Sequence, residues 1–422
     1  MINQTPTIAW IHSYKANGLR PNLKRMTALL KQLGNPQNQF PAIHVVGTNG
    51  KGSTTSFLQH ILTASGYKTG AFISPYIRCF NERIAINEKD IPDSALDKLA
   101  DQIRPLIEDK TFLKNYGKLT EFELVTAIMF TYFAQIDPVD IAVIEAGIGG
   151  LYDSTNVFTA QAVVCPSISL DHQATLGDSL EQIAQHKAGV LKPAVPFIFG
   201  QMDEPVRHVF YRQSQALDCP TFELGQDFHF LDNGRAFDVI YDDVKIADIH
   251  LQMLGKHQKS NASLAALTSL QIAQHFPKIN LDNIKKGLES TRWPGRCELV
   301  RPNLMLDGAH NQDSIAKLVS LLKQDFADKT IHILFAGLKR KPLEEMLNQL
   351  TDYDLSVTDF DFYEARRVTD YPDCYTKVVD YRTWLEESKQ SNEFYVVTGS
   401  LYFISEVRQY LLTALSTDNY HD

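Results

Sequence analysis

The chain has 422 residues, room for two or three domains at about 150 residues each. Its composition is 44% hydrophobic and 22% charged, with 22 Gly and 18 Pro, which excludes a fibrous, collagen-like or largely disordered protein. Forty-one basic residues against fifty acidic ones give a formal charge of −9. That argues against a large nucleic-acid surface, while a local basic pocket for a small anion stays open.

The five cysteines, Cys79, Cys165, Cys219, Cys297 and Cys374, are odd in number and scattered, with no CxxC. Neither a disulfide framework nor a zinc site is expected, and a reduced compartment fits best. Residues Met1 to Arg20 hold no apolar core of signal-peptide length. The longest apolar stretch, Val125 to Ala134, falls short of the ~20 residues that span a bilayer. The reading is a soluble, cytoplasmic protein with no membrane or nucleic-acid partner.

In chain order, Ala42 to Val46 reads as a strand, followed by the glycine cluster Gly47 to Gly52 and a helix with Phe57, Leu58, Ile61 and Leu62 on one face. Lys68 to Ile73 is the next strand, and helices are expected at Ser94 to Glu108 and Glu121 to Ala134. Val139 to Ile144 is almost wholly apolar, as a strand buried on both faces should be. A strand at Ala162 to Ile168 leads to a helix from Ser179. This alternation predicts a parallel sheet covered by helices. Phe222 to Leu254 differs: Asn233-Gly234 between apolar runs signals a small antiparallel excursion. Helical spacing returns from Asn261 to Phe276. Trp293-Pro294-Gly295-Arg296 breaks the pattern, and an α/β rhythm restarts with strands at Leu304 to Leu306, Ile331 to Ala336, Leu355 to Phe360 and Phe394 to Val397. The expected division is residues 1–292, a hinge at 293–297, and a smaller domain at 298–422.

The strongest chemical signal is Val45-Val46-Gly47-Thr48-Asn49-Gly50-Lys51-Gly52-Ser53-Thr54, between a strand and a helix. Glycines let the backbone curl so that N–H groups face a phosphate, and the helix start adds the positive end of its dipole. Lys51 supplies a cation for the outer phosphates, and Ser53 or Thr54 a hydroxyl near a metal. The match to GxxxxGK[ST] is imperfect, since Val45 replaces the first glycine and Gly52 separates Lys51 from Ser53.

Three more residues follow strands: Ser74, Glu145 and His172. Ligands of parallel sheets gather at the carboxyl ends of strands, so a metal–phosphate site is a natural reading. His172 is an unusual partner for an oxygen-seeking ion, and on spacing alone it reads as a base or a buried hydrogen-bonded histidine. Lys187 falls on the apolar stripe Leu180, Ile183, Ala184, Ala188, Leu191. Either it snorkels to the surface or it has a function, because a buried unpaired ammonium costs several kcal/mol.

The loop Gly47-Thr48-Asn49-Gly50-Lys51-Gly52-Ser53 resembles the ATP loop of the Mur ligase superfamily, and Gly52 resembles its folylpolyglutamate synthase branch. The resemblance runs on through Leu33-Gly34-Asn35-Pro36, Ser74-Pro75-Tyr76, Phe80-Asn81-Glu82-Arg83, Thr120-Glu121-Phe122-Glu123, Glu145 to Gly150, Asp153-Ser154-Thr155-Asn156, Asp171-His172, His186-Lys187-Ala188-Gly189, Trp293 to Arg296, Asp307 to Asn311 and Thr398 to Tyr402, in family order. It implies an α/β fold: a P-loop Mur-ligase-type parallel-sheet domain plus a smaller Rossmann-like C-terminal domain.

It also implies site residues. Gly47, Thr48, Asn49, Gly50, Lys51, Gly52, Ser53, Asn261, Arg296 and Asp307 would bind ATP. Ser74, Glu145 and His172 would hold magnesium, with two ions expected, and Lys187 would be carbamoylated. Tyr76, Arg83, Thr120, Glu121, Phe122, Glu123, Tyr152, Asp153 and Ser154 would line the folate site, and His310, Ser400 and Tyr402 the glutamate site. Two segments depart from the family pattern. Leu338-Lys339-Arg340-Lys341 stands where relatives carry an Asp-rich loop, and Leu151-Tyr152 where many bifunctional relatives have Arg-Leu.

The implied reaction joins L-glutamate to a folate γ-carboxylate through an acyl phosphate, consuming ATP, and extends to dihydropteroate in bifunctional relatives. Lys51, Lys187, His310 and Asp307 are the expected catalytic residues, and closure about Trp293 to Arg296 would bring the amine in line. A monomer is expected. The alternatives are a Mur-type ligase of peptidoglycan precursors and, in another class, a nucleotide-binding switch; the latter leaves Asp307 to His310 unexplained and lacks an NKxD motif.

Overall fold

The computed structural model describes residues 5–15 and 22–418, with side chains described up to residue 413. The N-terminal stretch read above as lacking a leader lies partly outside these residues. The chain divides into two compact units. The first comprises Met1–Pro75, Phe80–Gln252 and Lys259–Thr291; the second comprises Tyr76–Cys79, Met253–Gln258 and Arg292–Asp422.

The first unit is built on eight strands: β1 Ala42–Val45, β2 Thr69–Phe72, β3 Ile84–Ile86, β4 Lys89–Asp90, β5 Ile141–Glu145, β6 Ala162–Cys165, β7 Phe197–Phe199 and β8 Thr221–Glu223. Their order is β4-β3-β2-β5-β1-β6-β7-β8. All pairings are parallel except those of β3 and β4. The five residues of β5 are buried throughout, because helices cover both faces and leave no solvent side for alternation. The sheet order reverses direction around β1, with β5 on one side and β6 on the other, so a crevice opens at their carboxyl ends. The antiparallel excursion is a three-stranded sheet: β9 Phe228–Asn233, β10 Ala236–Tyr241 and β11 Val244–Ile249. Gly234, at φ 79°, makes the tight β9–β10 turn that an L-side chain would strain.

The second unit carries β12 Glu298–Arg301, β13 Leu304–Leu306, β14 Ile331–Phe335, β15 Asp354–Val357, β16 Thr376–Lys377 and β17 Phe394–Thr398. Their order is β12-β13-β17-β14-β15-β16, parallel except for β12. Side chains alternate between two cores. Met305, Ile333, Phe335, Val357 and Val396 pack on one face, and Leu304, Leu306, Leu334, Tyr395 and Val397 on the other.

Three local readings are corrected. The strand expected to reach Ile168 stops at Cys165, since Pro166 has no N–H to continue the ladder. The strand expected at Leu355 to Phe360 ends at Val357. The helix expected to reach Ala134 ends at Thr131 and widens into a π turn over Tyr132–Ile136. Among the described residues, no helix is long and apolar enough to cross a membrane.

Candidate active site

The glycine loop leaves β1 and enters the helix Lys51–Ala64. Gly50 caps that helix at φ 86°, and a Cβ there would stand 2.6 Å from Asn261 Oδ1. Only glycine tolerates both the left-handed backbone and this approach. Asn261, far away in sequence, is thus placed on the loop. The loop rests on the segment after β6. Thr48 N donates to Ser167 O at 2.8 Å, Asn49 N to Ser167 Oγ at 3.1 Å, and Thr48 Oγ1 to Ser169 O at 3.1 Å. The amides of Thr48 and Asn49 therefore hold the loop's shape. The N–H groups of the first helical turn, with no intrahelical acceptor, are left to meet an anion.

The β1–β5 register sets Glu145 beside Val45, and the β2–β5 register brings Phe72 beside Ile144. These pairings gather three groups at adjoining strand ends. Glu145, with its side chain 5% exposed, stands 3.9 Å from Lys51 Nζ, and its Oε2 accepts from Ser74 N at 3.3 Å. His172 follows β6, half-buried at φ 53°, with its amide donating to Asp171 Oδ1 at 2.8 Å. Among the described residues, no group of three or more His, Cys, Asp and Glu forms a metal cage. One buried carboxylate with a hydroxyl nearby is the donor set that suits a hard cation shared with phosphates, because Mg²⁺ takes few protein ligands and keeps water or phosphate for the rest.

Lys187 does not snorkel. The helix Leu180–Ala188, started by a Ser179–Gln182 capping box, carries it inward to 4% exposure, and Nζ donates to Gly47 O at 2.7 Å. Burial, with the Lys51 charge adding, pushes the amine down to about 7.

A second group of residues lies at the start of the helix Glu121–Thr131. Phe122 covers the turn after β5 so closely that a Cβ on Gly147 would meet its ring at 2.7 Å. Below it, Asp153 Oδ2 accepts from Ile148 N at 2.9 Å, and its Oδ1 from Thr155 N at 3.0 Å. Burial raises the Asp153 carboxyl, against these hydrogen bonds. Ser154 is buried, and Tyr152 packs edge-on to His186 at 6.1 Å. Glu121 joins His12 at 3.1 Å and Arg83 at 3.5 Å. Burial opposes its charge, yet these two partners hold its carboxyl below the usual range. Thr120 and Glu123 cap the helix reciprocally, and the Glu123 carboxylate also takes Arg25 Nε at 3.0 Å. Tyr76 belongs to the second unit.

In the second unit, Asp307 shapes the turn after β13 by accepting from Cys297 N at 2.9 Å and Ala309 N at 3.0 Å. Arg296 donates to Gly308 O at 3.2 Å. His310 Nδ1 lies 2.8 Å from the same carbonyl, which can only accept, so that nitrogen carries the hydrogen. Ser400 is buried after β17 and accepts from Tyr402 N at 3.3 Å. Tyr402 stacks on Phe362 at 4.3 Å.

The Mur ligase middle domain model matches residues 45–269. The dihydrofolate synthase/folylpolyglutamate synthase of Bacillus subtilis (strain 168) is 36% identical, over 96% of this chain and 98% of its own. The chain belongs to this family. The folylpolyglutamate synthase of Lacticaseibacillus casei is 35% identical over 97% of this chain and 99% of its own. Among solved structures, an FPGS–AMPPCP–folate complex superposes with a TM-score of 0.85 at 34% identity, covering 96% of this chain and 98% of its own. The Mycobacterium tuberculosis folylpolyglutamate synthase complexed with ADP gives 0.86 at 27% identity, covering 95% and 96%. The α/β architecture is accordingly the two-domain Mur-ligase fold of the family.

Several residues around these groups carry little signal in the sequence. Ser167 and Ser169 hold the loop, and only the Pro166 break hinted that their segment leaves the sheet. Arg25 gives no local signal, since its partner Glu123 is 98 residues away. His44 sits in an apolar strand, where a lone polar residue was the available sign. His257, beside Asp307 and Arg296, is pushed down mainly by burial.

Proposed function

We propose that this chain is an ATP-dependent ligase that adds L-glutamate to the γ-carboxylate of a reduced folate, releasing ADP and phosphate. The observation that carries the reading is the convergence of Lys51, Glu145 and the Ser74 segment at three adjoining strand ends beside a helix start. That is an anion-binding corner with a buried carboxylate for a cation. Its relatives named for folate ligation match at nearly full length, whereas peptidoglycan ligases share only the wider superfamily.

The chemistry needs no enzyme nucleophile. A folate carboxylate oxygen attacks the γ-phosphorus, the bond to the bridging oxygen breaks, and ADP leaves. The glutamate amine, having lost a proton, attacks the acyl phosphate carbon and phosphate departs. Lys51 and the amides of the first helical turn neutralise charge growing on the transferred phosphoryl group. Gly47, Thr48, Asn49, Gly50, Gly52 and Ser53 shape the cradle, and Asn261 stands beside it. Arg296 and Asp307 are assigned to the nucleotide as well. Ser74, Glu145 and His172 would hold the Mg²⁺ ions, which screen phosphate charge when bound.

Lys187 is proposed to be carbamoylated. Carbon dioxide reacts with a neutral amine, and an amine pushed down to about 7 is substantially neutral in the cell. The product is an anion facing a magnesium corner in place of a cation. Tyr76, Phe122, Asp153, Ser154, Tyr152, Thr120, Arg83 and Glu121 are assigned to the folate. Glu123 acts there through the cap it forms with Thr120. His310, Ser400 and Tyr402 are assigned to glutamate, with His310 orienting or deprotonating the amine. We place the protein in the cytoplasm as a monomer.

The test is phosphate release from ATP. It should require both tetrahydrofolate and L-glutamate; release with a muramyl precursor, or with neither carboxyl acceptor nor amino acid, would reject the reading. Dihydropteroate as acceptor probes the second activity that the Bacillus relative's name carries.

A further inference from the structure

Strands β14 and β17 lie side by side and parallel, with Phe335 opposite Thr398. Past these residues the chain leaves in two directions. After β14 it enters the helix Leu343–Asn348, whose Leu343, Met346 and Leu347 pack on one face of the sheet. After β17 it enters the helix Leu401–Asp418, whose Phe403, Ile404 and Val407 pack on the other. Neighbouring strands whose connections depart to opposite faces open a crevice at their carboxyl ends, where such sheets bind ligands. Its two walls part from a tight contact. Ala336 N donates to Thr398 O at 3.1 Å, and a Cβ on Gly399 would stand 2.5 Å from Ala336 O. One wall runs into Ser400 and Tyr402, assigned above to glutamate. The other is Leu338-Lys339-Arg340-Lys341, which no step above uses.

This basic wall is held at its base. The Gly337 amide donates to Tyr371 Oη at 3.0 Å, and the Gly337 carbonyl accepts from Arg366 N at 3.0 Å. Lys339 N donates to Glu364 O at 2.9 Å. Arg340 and Lys341 are engaged, Arg340 through Nε at 3.1 Å from Glu364 Oε2. Lys339 is exposed, and among the described residues its Nζ has no hydrogen bond or ion pair. Glutamate brings two carboxylates, while His310, Ser400 and Tyr402 offer no permanent cation. His310 follows β13, which flanks β17 on the side away from β14. Loops two strands apart lie about 10 Å from each other, a gap that an extended glutamate fills with one hydrogen bond at each end.

We propose that Lys339 receives the side-chain carboxylate of the incoming amino acid and so selects glutamate over its uncharged analogues. Tyr371 is the positioning residue that sets this wall through the Gly337 amide. The assignment rests on the glutamate-ligase reading and adds to it the group that reads the far end of the amino acid.

Steady-state kinetics on full-length variants test it. Lys339→Met should raise KM for L-glutamate about tenfold, with kcat and the KM values for ATP and tetrahydrofolate changed less than about twofold. The preference for L-glutamate over L-glutamine, as a ratio of kcat/KM values, should fall about tenfold in the same variant. Lys339→Arg should restore most of both losses. Arg340→Gln should leave the preference within about twofold, because its guanidinium is already held by Glu364. Tyr371→Phe should raise KM for L-glutamate about threefold and leave KM for ATP unchanged. The proposal is overturned if Lys339→Met keeps its KM for L-glutamate or its preference over glutamine, if all three KM values rise together, or if Arg340→Gln costs as much. A wild-type protein with no glutamate-dependent phosphate release would instead remove the proposed function, and the role of Lys339 with it.

Discussion

Lys187 Nζ donates a hydrogen bond to the Gly47 carbonyl at 2.7 Å, joining a helix to the phosphate loop across 140 residues of sequence. The contact puts an amine depressed to about 7 against the turn that should cradle ATP. Lys187→Ala should lower kcat by at least about a hundredfold, as measured by ATP-dependent folate glutamylation, with the far-ultraviolet spectrum unchanged. Intact mass in bicarbonate should show added carbon dioxide on the wild-type protein and not on this variant.

The same amine predicts a pH dependence of stability. Its folded value lies below its unfolded value, so between about 7 and 10.5 the unfolded chain binds more protons and stability rises with pH. The penalty is complete below pH 7. In carbon-dioxide-free buffer, Lys187→Met should therefore be more stable than wild type at pH 6.5, by on the order of a few kcal/mol. The gap should close toward pH 10. Urea unfolding at the two pH values checks it, and a constant difference would refute it.

Gly147 lies under Phe122, with 2.7 Å between its missing Cβ and the ring. Gly147→Ala should displace the ring and raise KM for tetrahydrofolate about tenfold while leaving KM for ATP within about twofold. Gly50→Ala should do the reverse, since the strain falls on the nucleotide loop. A Gly147→Ala variant impaired only for ATP, or a Gly50→Ala variant impaired only for tetrahydrofolate, would contradict the division of the site.

The Arg25–Glu123 pair is buried, both side chains being 7% exposed. Removing one partner strands a charge, so Glu123→Ala should destabilise the protein by about 3–5 kcal/mol in urea unfolding. The surviving folded enzyme should also show a raised KM for tetrahydrofolate, because the cap that holds Thr120 is gone. A raised KM with unchanged stability would place Glu123 on the substrate instead.

Much of this was legible in the chain. The glycine run after an apolar strand placed the loop, Glu145 closed an apolar strand, and Lys187 stood out on an apolar stripe. Asn233-Gly234 foretold the hairpin, because only certain residues turn that tightly. What stayed hidden depends on distant partners. Strand β7 has three residues, too few to show a period, and is held by its neighbours β6 and β8. The supports of the loop, Ser167 and Ser169, look like ordinary loop residues until the sheet order brings β6 beside β1. Asp153 reads as a substrate ligand, but its link to His44 passes through a hydroxyl 111 residues away and leaves no pattern in sequence.

The central claim is that a carboxylate is activated by phosphoryl transfer from ATP held at Lys51. Tetrahydrofolate labelled with heavy oxygen in its γ-carboxylate, incubated with MgATP and L-glutamate, should deliver one labelled oxygen into the released phosphate. Phosphate free of label, with the departing heavy oxygen found in water instead, would contradict the account.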